Sequence, residues 1–299
     1  MAFRNIVIES PARISLKNDQ LVIRTDVERS AAIEDISALL IENRQTQITA
    51  AALSRLGERG CCVFFCDEKH MPCAVVAPFM QYSRQTAVIY RQLGAGEPLK
   101  KRMWQAIVKA KITNQALCLE YCGKGERAPA LRAMAGRVRS GDPDNVEAAA
   151  ARYYFTALFD AGFTRSHDCG YNAALNYCYA VIRGSIARSL TVHGFVPAFG
   201  IHHNSTLNAF NLADDLIEPF RPVADLLTSY IMQPEDGLTP DKKRLLFNCL
   251  GLDILSDGQR HTVANAADRL VESLARSLEE KTPQLLLPEL LDTVQHRYE

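Results

Sequence analysis

The chain has 299 residues, is 47% hydrophobic, carries no net charge and holds nine cysteines. That length suits one large or two modest domains with sizeable cores. No apolar run approaches the roughly eighteen residues of a membrane span, and the N-terminal MAFRNIVIES lacks the apolar stretch and cleavage site of a secretory signal. An odd cysteine count in an unsecreted chain implies reduced thiols and a cytoplasmic protein.

Neutrality hides an uneven distribution. From Arg84 to Arg139 there are 12 Lys/Arg against 3 Asp/Glu, an excess of +9 that the remainder balances with −9. Such a block is the footprint of a face that binds a polyanion, or equally a solvated helix surface.

In chain order, RNIVIES (4–10), ARISLKN (12–18), QLVIRTD (20–26) and ISALLIEN (36–43) read as strands, rich in β-branched residues or alternating. Asn18-Asp19 separates two of them as a hairpin turn would. TAAALSRLGERG (49–60) reads as a short helix with Thr49 as N-cap and a glycine stop. CCVFFCD (61–67) and PCAVVAP (72–78) read as two buried strands around a turn at Lys69 and His70. Near Pro78 to Gln85 the period becomes helical. PLKKRMWQAIVKAKITNQALCLEY (98–121) places Met103, Ile107, Ala110, Asn114, Leu117 and Tyr121 on one face and Arg102, Gln105 and Lys109 on another. Further helices are expected over 128–138, 143–161, 168–193, 208–231, 239–255 and 261–280. The fold class is therefore α+β: a small β-rich domain over residues 1–82, then a larger all-α domain over 83–299.

Three segments carry the polar side chains of interest. In GIHHNSTLNAFNLADDLIEPFRP (200–222), with Asn208 as N-cap, Asp214 and Glu218 are four apart and Asp215 and Glu218 three apart, so the acids share a helical face. Like charges so close need a cation among them. Arg221 is one candidate and a divalent metal another, with His202 or His203 adding a ring nitrogen from the preceding loop. Carboxylates with one histidine suit Mg²⁺ or Mn²⁺ rather than structural zinc. A helix start made acidic by its macrodipole reads the same way. In SGDPDNVEAAAARYYFTALF (140–159), Asp142 and Pro143 mark a helix start with Glu147 just beyond its first turn. That glutamate gains meaning only if it faces the His/Asp/Glu cluster. In HDCGYNAALNYCYAVIRGSI (167–186), Asn172, Asn176 and Tyr179 recur at helical spacing on an apolar helix, a packing role by default. The cysteines form no paired metal-binding spacing and read as core thiols. LGAGEP lacks the lysine and serine of a phosphate loop, and no G-x-S-x-G is present.

Taken in order, the β-rich start, the basic helix, DPDNVEAAAARYYF, YNAALNYCYAV and GIHHNSTLNAFNLADDLIEPFRP closely resemble the CRISPR-associated spacer-acquisition integrases, the universal adaptation nucleases of CRISPR systems. The likeness runs over essentially the whole chain, and the IHH…FNLADDLIEPFRP form is similar to the variant found beside the type II RNA-guided effector nuclease. The resemblance implies that Glu147, His203 (or His202) and Glu218 with Asp215 hold one Mg²⁺ or Mn²⁺ ion and carry the catalysis. It implies a homodimer formed through the β-rich domain and a complex with a small ferredoxin-like partner protein. Double-stranded DNA, both spacer precursor and repeat, lies across that assembly, and the type II effector nuclease is a further candidate partner. Lys100, Lys101, Arg102, Lys109, Arg137 and Arg139 become candidate DNA contacts, and Arg152 and Arg221 candidate phosphate clamps. The implied reaction is attack of a DNA 3′-hydroxyl on a phosphodiester. Two readings compete with it: a metal-dependent hydrolase of a small substrate, which needs no basic block, and a non-catalytic DNA-binding scaffold.

Overall fold

The structure, a computed structural model, describes residues 4–76, 84–159 and 162–292. The chain divides into two compact units, Met1–Gln81 and Tyr82–Glu299. The expected boundary between residues 82 and 83 lies outside the described residues.

The first unit contains β1 (Arg4–Ile8), β2 (Arg13–Lys17), β3 (Gln20–Arg24), β4 (Glu28–Ala32), β5 (Ile36–Ile41), β6 (Gln47–Ile48), α1 (Ala50–Glu58), β7 (Cys62–Cys66) and β8 (Pro72–Val75). Its two four-stranded sheets run β1-β5-β7-β8 and β4-β3-β2-β6. Asn18 and Asp19 both take positive φ, 51° and 58°, which twists the β2–β3 hairpin as its strands require. The hydroxyl of Thr49 accepts the Ala52 N–H at 3.3 Å, the expected cap of α1. Gly60, at φ 76°, turns the chain out of that helix. Ile14, Leu21, Leu39, Leu56 and Val63 meet in one core between the sheets and α1. β8 departs from expectation. It begins at Pro72 and closes the sheet as an edge strand, so Cys73 and Ala74 are exposed rather than buried.

The second unit is built from α2 (Gln85–Leu93), α3 (Glu97–Tyr121), α4 (Ala128–Arg137), α5 (Val146–Leu158), α6 (Gly170–Val192), α7 (Asn211–Ile217), α8 (Arg221–Ile231), α9 (Pro240–Phe247) and α10 (Val263–Glu280). α3 is its axis. Trp104, Val108, Ile112 and Leu119 are buried as fully as Met103 and Ile107, so the apolar surface wraps most of the helix instead of following one stripe. Burying each such side chain contributes about 1.5–3 kcal/mol. Asp225 of α8 lies buried between α5 and α6, accepting the hydroxyls of Tyr154, at 3.0 Å, and Tyr179. Burial pushes its carboxyl up to about 6 even though both hydroxyls act the other way. Asn172 also has a packing role: its amide donates to the carbonyls of Thr164 and His167 at 2.8 and 2.7 Å and accepts from Arg165, which reaches Asn176 as well.

Three expectations for this unit need correction. It is not all-α, because β9 (Asp253–Ser256), β10 (Gln259–Thr262) and β11 (Glu289–Leu290) form a small antiparallel sheet in the order β10-β9-β11. The helix expected over 239–255 stops at Phe247, and the chain enters a hairpin whose turn, Asp257-Gly258, has φ 55° and 71°. The helix expected over 208–231 starts only at Asn211. It is broken between α7 and α8 by the 3₁₀ turn Glu218–Phe220. Pro219 and Pro222 each lack the N–H that a continuous helix needs there.

Candidate active site

The break in that helix separates the acids that simple periodicity puts on one face. Asp214 pairs with Arg183, 2.6 Å to Nε and 3.0 Å to Nη2. Asp215 turns toward the preceding loop. Glu218, at the head of the 3₁₀ turn, faces α3 and Arg221, whose Nε lies 2.8 Å from Oε1. Asn114 of α3 fixes this turn by donating to the carbonyls of Pro219 and Pro288, at 2.8 and 3.0 Å, and accepting the Leu290 N–H.

Asp215 is wholly buried. Its carboxylate accepts the backbone N–H groups of Ile201, His202 and His203 at 2.5, 3.0 and 3.1 Å, and Oδ1 lies 2.7 Å from His203 Nδ1. An ionised carboxylate only accepts, so Nδ1 carries the hydrogen and Nε2 keeps its lone pair. The hydrogen bond that His203 donates to Asp215 raises the histidine's pKa above the ordinary value, against partial burial. Gly200 permits this closure: a Cβ there would lie 2.2 Å from the His203 carbonyl and 2.7 Å from Asp215 Oδ2. Beneath the loop, Trp104 of α3 is 1% exposed. His202 stacks on its indole at 4.2 Å and 1°, and His203 meets it edge-on at 5.7 Å. His202 is thus a packing partner of Trp104, and His203 is the histidine held by a carboxylate.

Glu147 arrives from the first turn of α5. The expected start at Asp142-Pro143 is displaced to Val146, because Asp142 and Asn145 both take positive φ. Asp142 still acts as the cap from a distance, accepting the Val146 and Glu147 N–H groups at 3.0 and 2.9 Å. Glu147 and Glu218 converge on the ammonium of Lys111, which bonds to Glu147 and lies 2.5 Å from Glu218 Oε2. Burial disfavours the Lys111 ammonium, but the carboxylates of Glu218 and Glu147 outweigh it, and its pKa lies above the ordinary lysine value. Burial likewise opposes ionisation of Glu218, yet Arg221 and Lys111 bring its carboxyl down to about 2. Lys111 and Trp104 escaped the sequence reading. Their spacing gives one signal, since Trp104, Ile107, Lys111 and Asn114 recur at three and four and all prove buried, but the basic residues around Lys111 mask it.

Among the described residues no three His, Cys, Asp or Glu side chains already form a metal cluster. The donors nevertheless fit a hard divalent cation. Glu218 Oε2 is buried and makes no hydrogen bond, because the nearby ammonium is not aligned on it. Two carboxylates with one imidazole would supply O,O,N donors of the kind that take Mg²⁺ or Mn²⁺. Asp215, a candidate ligand in the sequence, has both oxygens engaged by N–H donors. It contacts His203 on the Nδ1 side of the ring.

The basic block divides in the same way. Lys111 is internal, Arg132 binds Glu120, Arg91 reaches Glu279, and Arg139, an expected DNA contact, is clamped bidentately by Asp144 at 2.8 and 2.7 Å. Lys100, Lys101, Arg102, Lys109 and Arg137 have no acidic partner among the described residues, and Lys101, Arg102 and Arg137 are exposed. Arg152 is exposed. Arg221 is held by Glu218 and by the ring of Tyr179, 4.5 Å away, so it serves the site's own charge balance. No helix among the described residues is long and apolar enough to cross a membrane.

Comparison with known proteins places this geometry in context. The family described as CRISPR associated protein Cas1 matches residues 6–236. A CRISPR-associated endonuclease Cas1 of Neisseria meningitidis serogroup C is 43% identical over 304 residues, covering 100% of both chains. Among solved structures, a casposase bound to its integration product superposes with a TM-score of 0.73 at 19% identity, over 99% of this chain and 93% of that one. A chain of a Cas6-RT-Cas1–Cas2 complex superposes with a TM-score of 0.70 at 18% identity, over 96% of this chain but 36% of that longer one. The two structural likenesses concern the fold, with its β-rich N-terminal part and helical C-terminal part.

Proposed function

The chain belongs to the CRISPR-associated Cas1 family, and from that premise we infer that it is an endonuclease and integrase that inserts short DNA fragments into a CRISPR array. The observation that carries the reading is the convergence of Glu147 and Glu218, from separate elements, on the Lys111 ammonium, with His203, held by the buried carboxylate of Asp215, near enough for the charge of Glu218 to help raise its pKa.

The residues that would hold Mg²⁺ or Mn²⁺ are Glu147, Glu218 and His203 through Nε2. Such an ion supplies Lewis-acid polarisation of a phosphate and a lowered pKa for an attacking oxygen. Asp215 keeps His203 in the tautomer whose Nε2 can ligate. Arg221 and Lys111 supply positive charge that lets Glu218 stay ionised although buried. In strand transfer, a DNA 3′-hydroxyl attacks phosphorus, one phosphodiester forms as another breaks, and the proton lost by the attacking oxygen is matched by one gained on the leaving oxygen. The number of phosphodiesters is unchanged, so no nucleotide triphosphate is required, in keeping with a chain that has no phosphate-binding loop. With water as the attacking group the same residues give nuclease activity.

The proposed partners are double-stranded DNA, a second copy of this chain and the small ferredoxin-like adaptation protein, the last in line with the Cas2 of the complex above. The test is strand transfer of a short duplex into a repeat-containing plasmid by the purified chain, with and without the small partner and with Mg²⁺, Mn²⁺ or chelator. Metal-dependent joining supports the reading; binding of DNA with no metal-dependent cleavage or joining reduces the chain to a scaffold.

The DNA face is proposed on Lys100, Lys101, Arg102, Lys109 and Arg137. Arg139 drops in rank because Asp144 neutralises it. Replacing Lys100, Lys101 and Arg102 by glutamine is expected to weaken duplex binding at low salt and to flatten the plot of log K against log salt by about one unit per lost phosphate contact. A slope equal to wild type places the DNA elsewhere. Arg139→Gln, by the same measurement, is expected to change the slope little.

A further inference from the structure

We propose that Lys111 is a built-in counter-cation that holds the place of the divalent ion between Glu147 and Glu218, and must be displaced from it when the ion binds. The proposal rests on the metal-site reading above and adds to it a competition inside the site.

The argument is geometric. Two carboxylates from different elements meet at one ammonium, and the Lys111 side chain is only 8% exposed, against 26% for Glu147 and 6% for Glu218. A lysine there is not a surface ion pair that happens to be close. It comes from the middle of the axial helix α3, with Val108 and Ile112 buried on either side, and is 6% exposed as a residue. Without it, two carboxylates would face each other with Arg221 as the nearest compensation, and Arg221 is committed to Oε1 of Glu218 at 2.8 Å. The other oxygen, Oε2, meets the ammonium at 2.5 Å without an aligned hydrogen bond. That contact is chiefly charge attraction, which a second cation can supply in its place, and the hydrogen bond of Lys111 to Glu147 is what displacement gives up. The primary amine also suits the role better than a guanidinium would. It is a compact charge on a flexible stem and can swing away from the carboxylates while staying in reach of them.

Competition has a measurable sign. Removing the ammonium should tighten metal binding even as it loosens the metal-free fold. Lys111→Met keeps the stem and deletes the charge. Titrated with Mn²⁺ and followed by the ion's paramagnetic resonance signal, the variant is expected to bind at least tenfold tighter than wild type. Its melting temperature should be lower without metal and should rise more on adding Mn²⁺. Equal or weaker Mn²⁺ binding by a folded variant overturns the proposal alone. Absence of Mn²⁺ binding by both proteins overturns the metal-site reading and the proposal with it. Because the substitution can impair folding, a second measurement uses wild-type protein. Amine-directed labelling followed by peptide mass analysis should show Lys111 protected without metal and labelled severalfold faster with saturating Mn²⁺. Labelling of Lys111 that Mn²⁺ does not change also overturns the proposal.

Discussion

Glu147→Ala and His203→Ala are each expected to lower strand transfer by about a thousandfold or more, while the protein stays folded. Losing one of three protein ligands removes several kcal/mol of charge stabilisation in the transition state, and about 4 kcal/mol corresponds to that factor. These positions give a cleaner test than Glu218. Glu147 and His203 keep 26% and 45% side-chain exposure, and their removal opens no core. Glu147→Ala takes one carboxylate from Lys111 but leaves it Glu218. Glu218→Ala would strand the guanidinium of Arg221 and leave Lys111 with Glu147 alone, and losing one partner of a buried ion pair typically destabilises by about 3–5 kcal/mol. Its inactivity could then reflect unfolding. Strand transfer should be measured beside a urea melt for each variant. Wild-type-like joining by either Glu147→Ala or His203→Ala sinks the assignment of that residue as a ligand.

Much of this site can be read in the sequence, for reasons that differ from residue to residue. Glu147 stands out because Asp142 and Pro143 announce a helix start, and the structure keeps Asp142 as the cap even though the helix begins later. Helical period alone misplaces the acids of ADDLIEP. It treats 208–231 as one cylinder, whereas Pro219 and Pro222 remove the hydrogen bonds that would keep it whole, so Asp214, Asp215 and Glu218 find three different partners. The prolines were visible, but their effect on direction depends on Asn114 and the chain at Pro288, which sequence does not bring near. Lys111 is hidden for a different reason. Counted with its neighbours it is one more charge in a basic block, and only packing shows that it points inward. The hairpin around Asp257-Gly258 was missed because its strands are four residues each and the flanking segments are helical.

Asp215→Ala is expected to abolish strand transfer by a route distinct from loss of a ligand, and to destabilise the protein by about 3 kcal/mol or more. Hydrogen bonds to a charged acceptor contribute about 1.5–3 kcal/mol each, and a buried group that loses its partner carries an added desolvation cost. Asp215 accepts from three consecutive backbone N–H groups and from His203 Nδ1, so its removal releases the loop at several points at once. Gly200 sharpens the argument. The loop passes close enough to Asp215 and to its own carbonyl at His203 that no Cβ fits at Gly200. The two readings of Asp215 differ in what else changes. As a metal ligand, its loss would weaken Mn²⁺ binding and leave the loop ordered in metal-free protein. As the anchor of His203, its loss exposes the amides of Ile201, His202 and His203 to hydrogen exchange whether or not metal is present. Glu218→Gln, which keeps the shape of the 3₁₀ turn, should leave those three amides protected. Fast exchange at residues 201–203 in Asp215→Ala, together with protection in Glu218→Gln, establishes Asp215 as the positioning residue. Protection in both variants returns it to the ligand set.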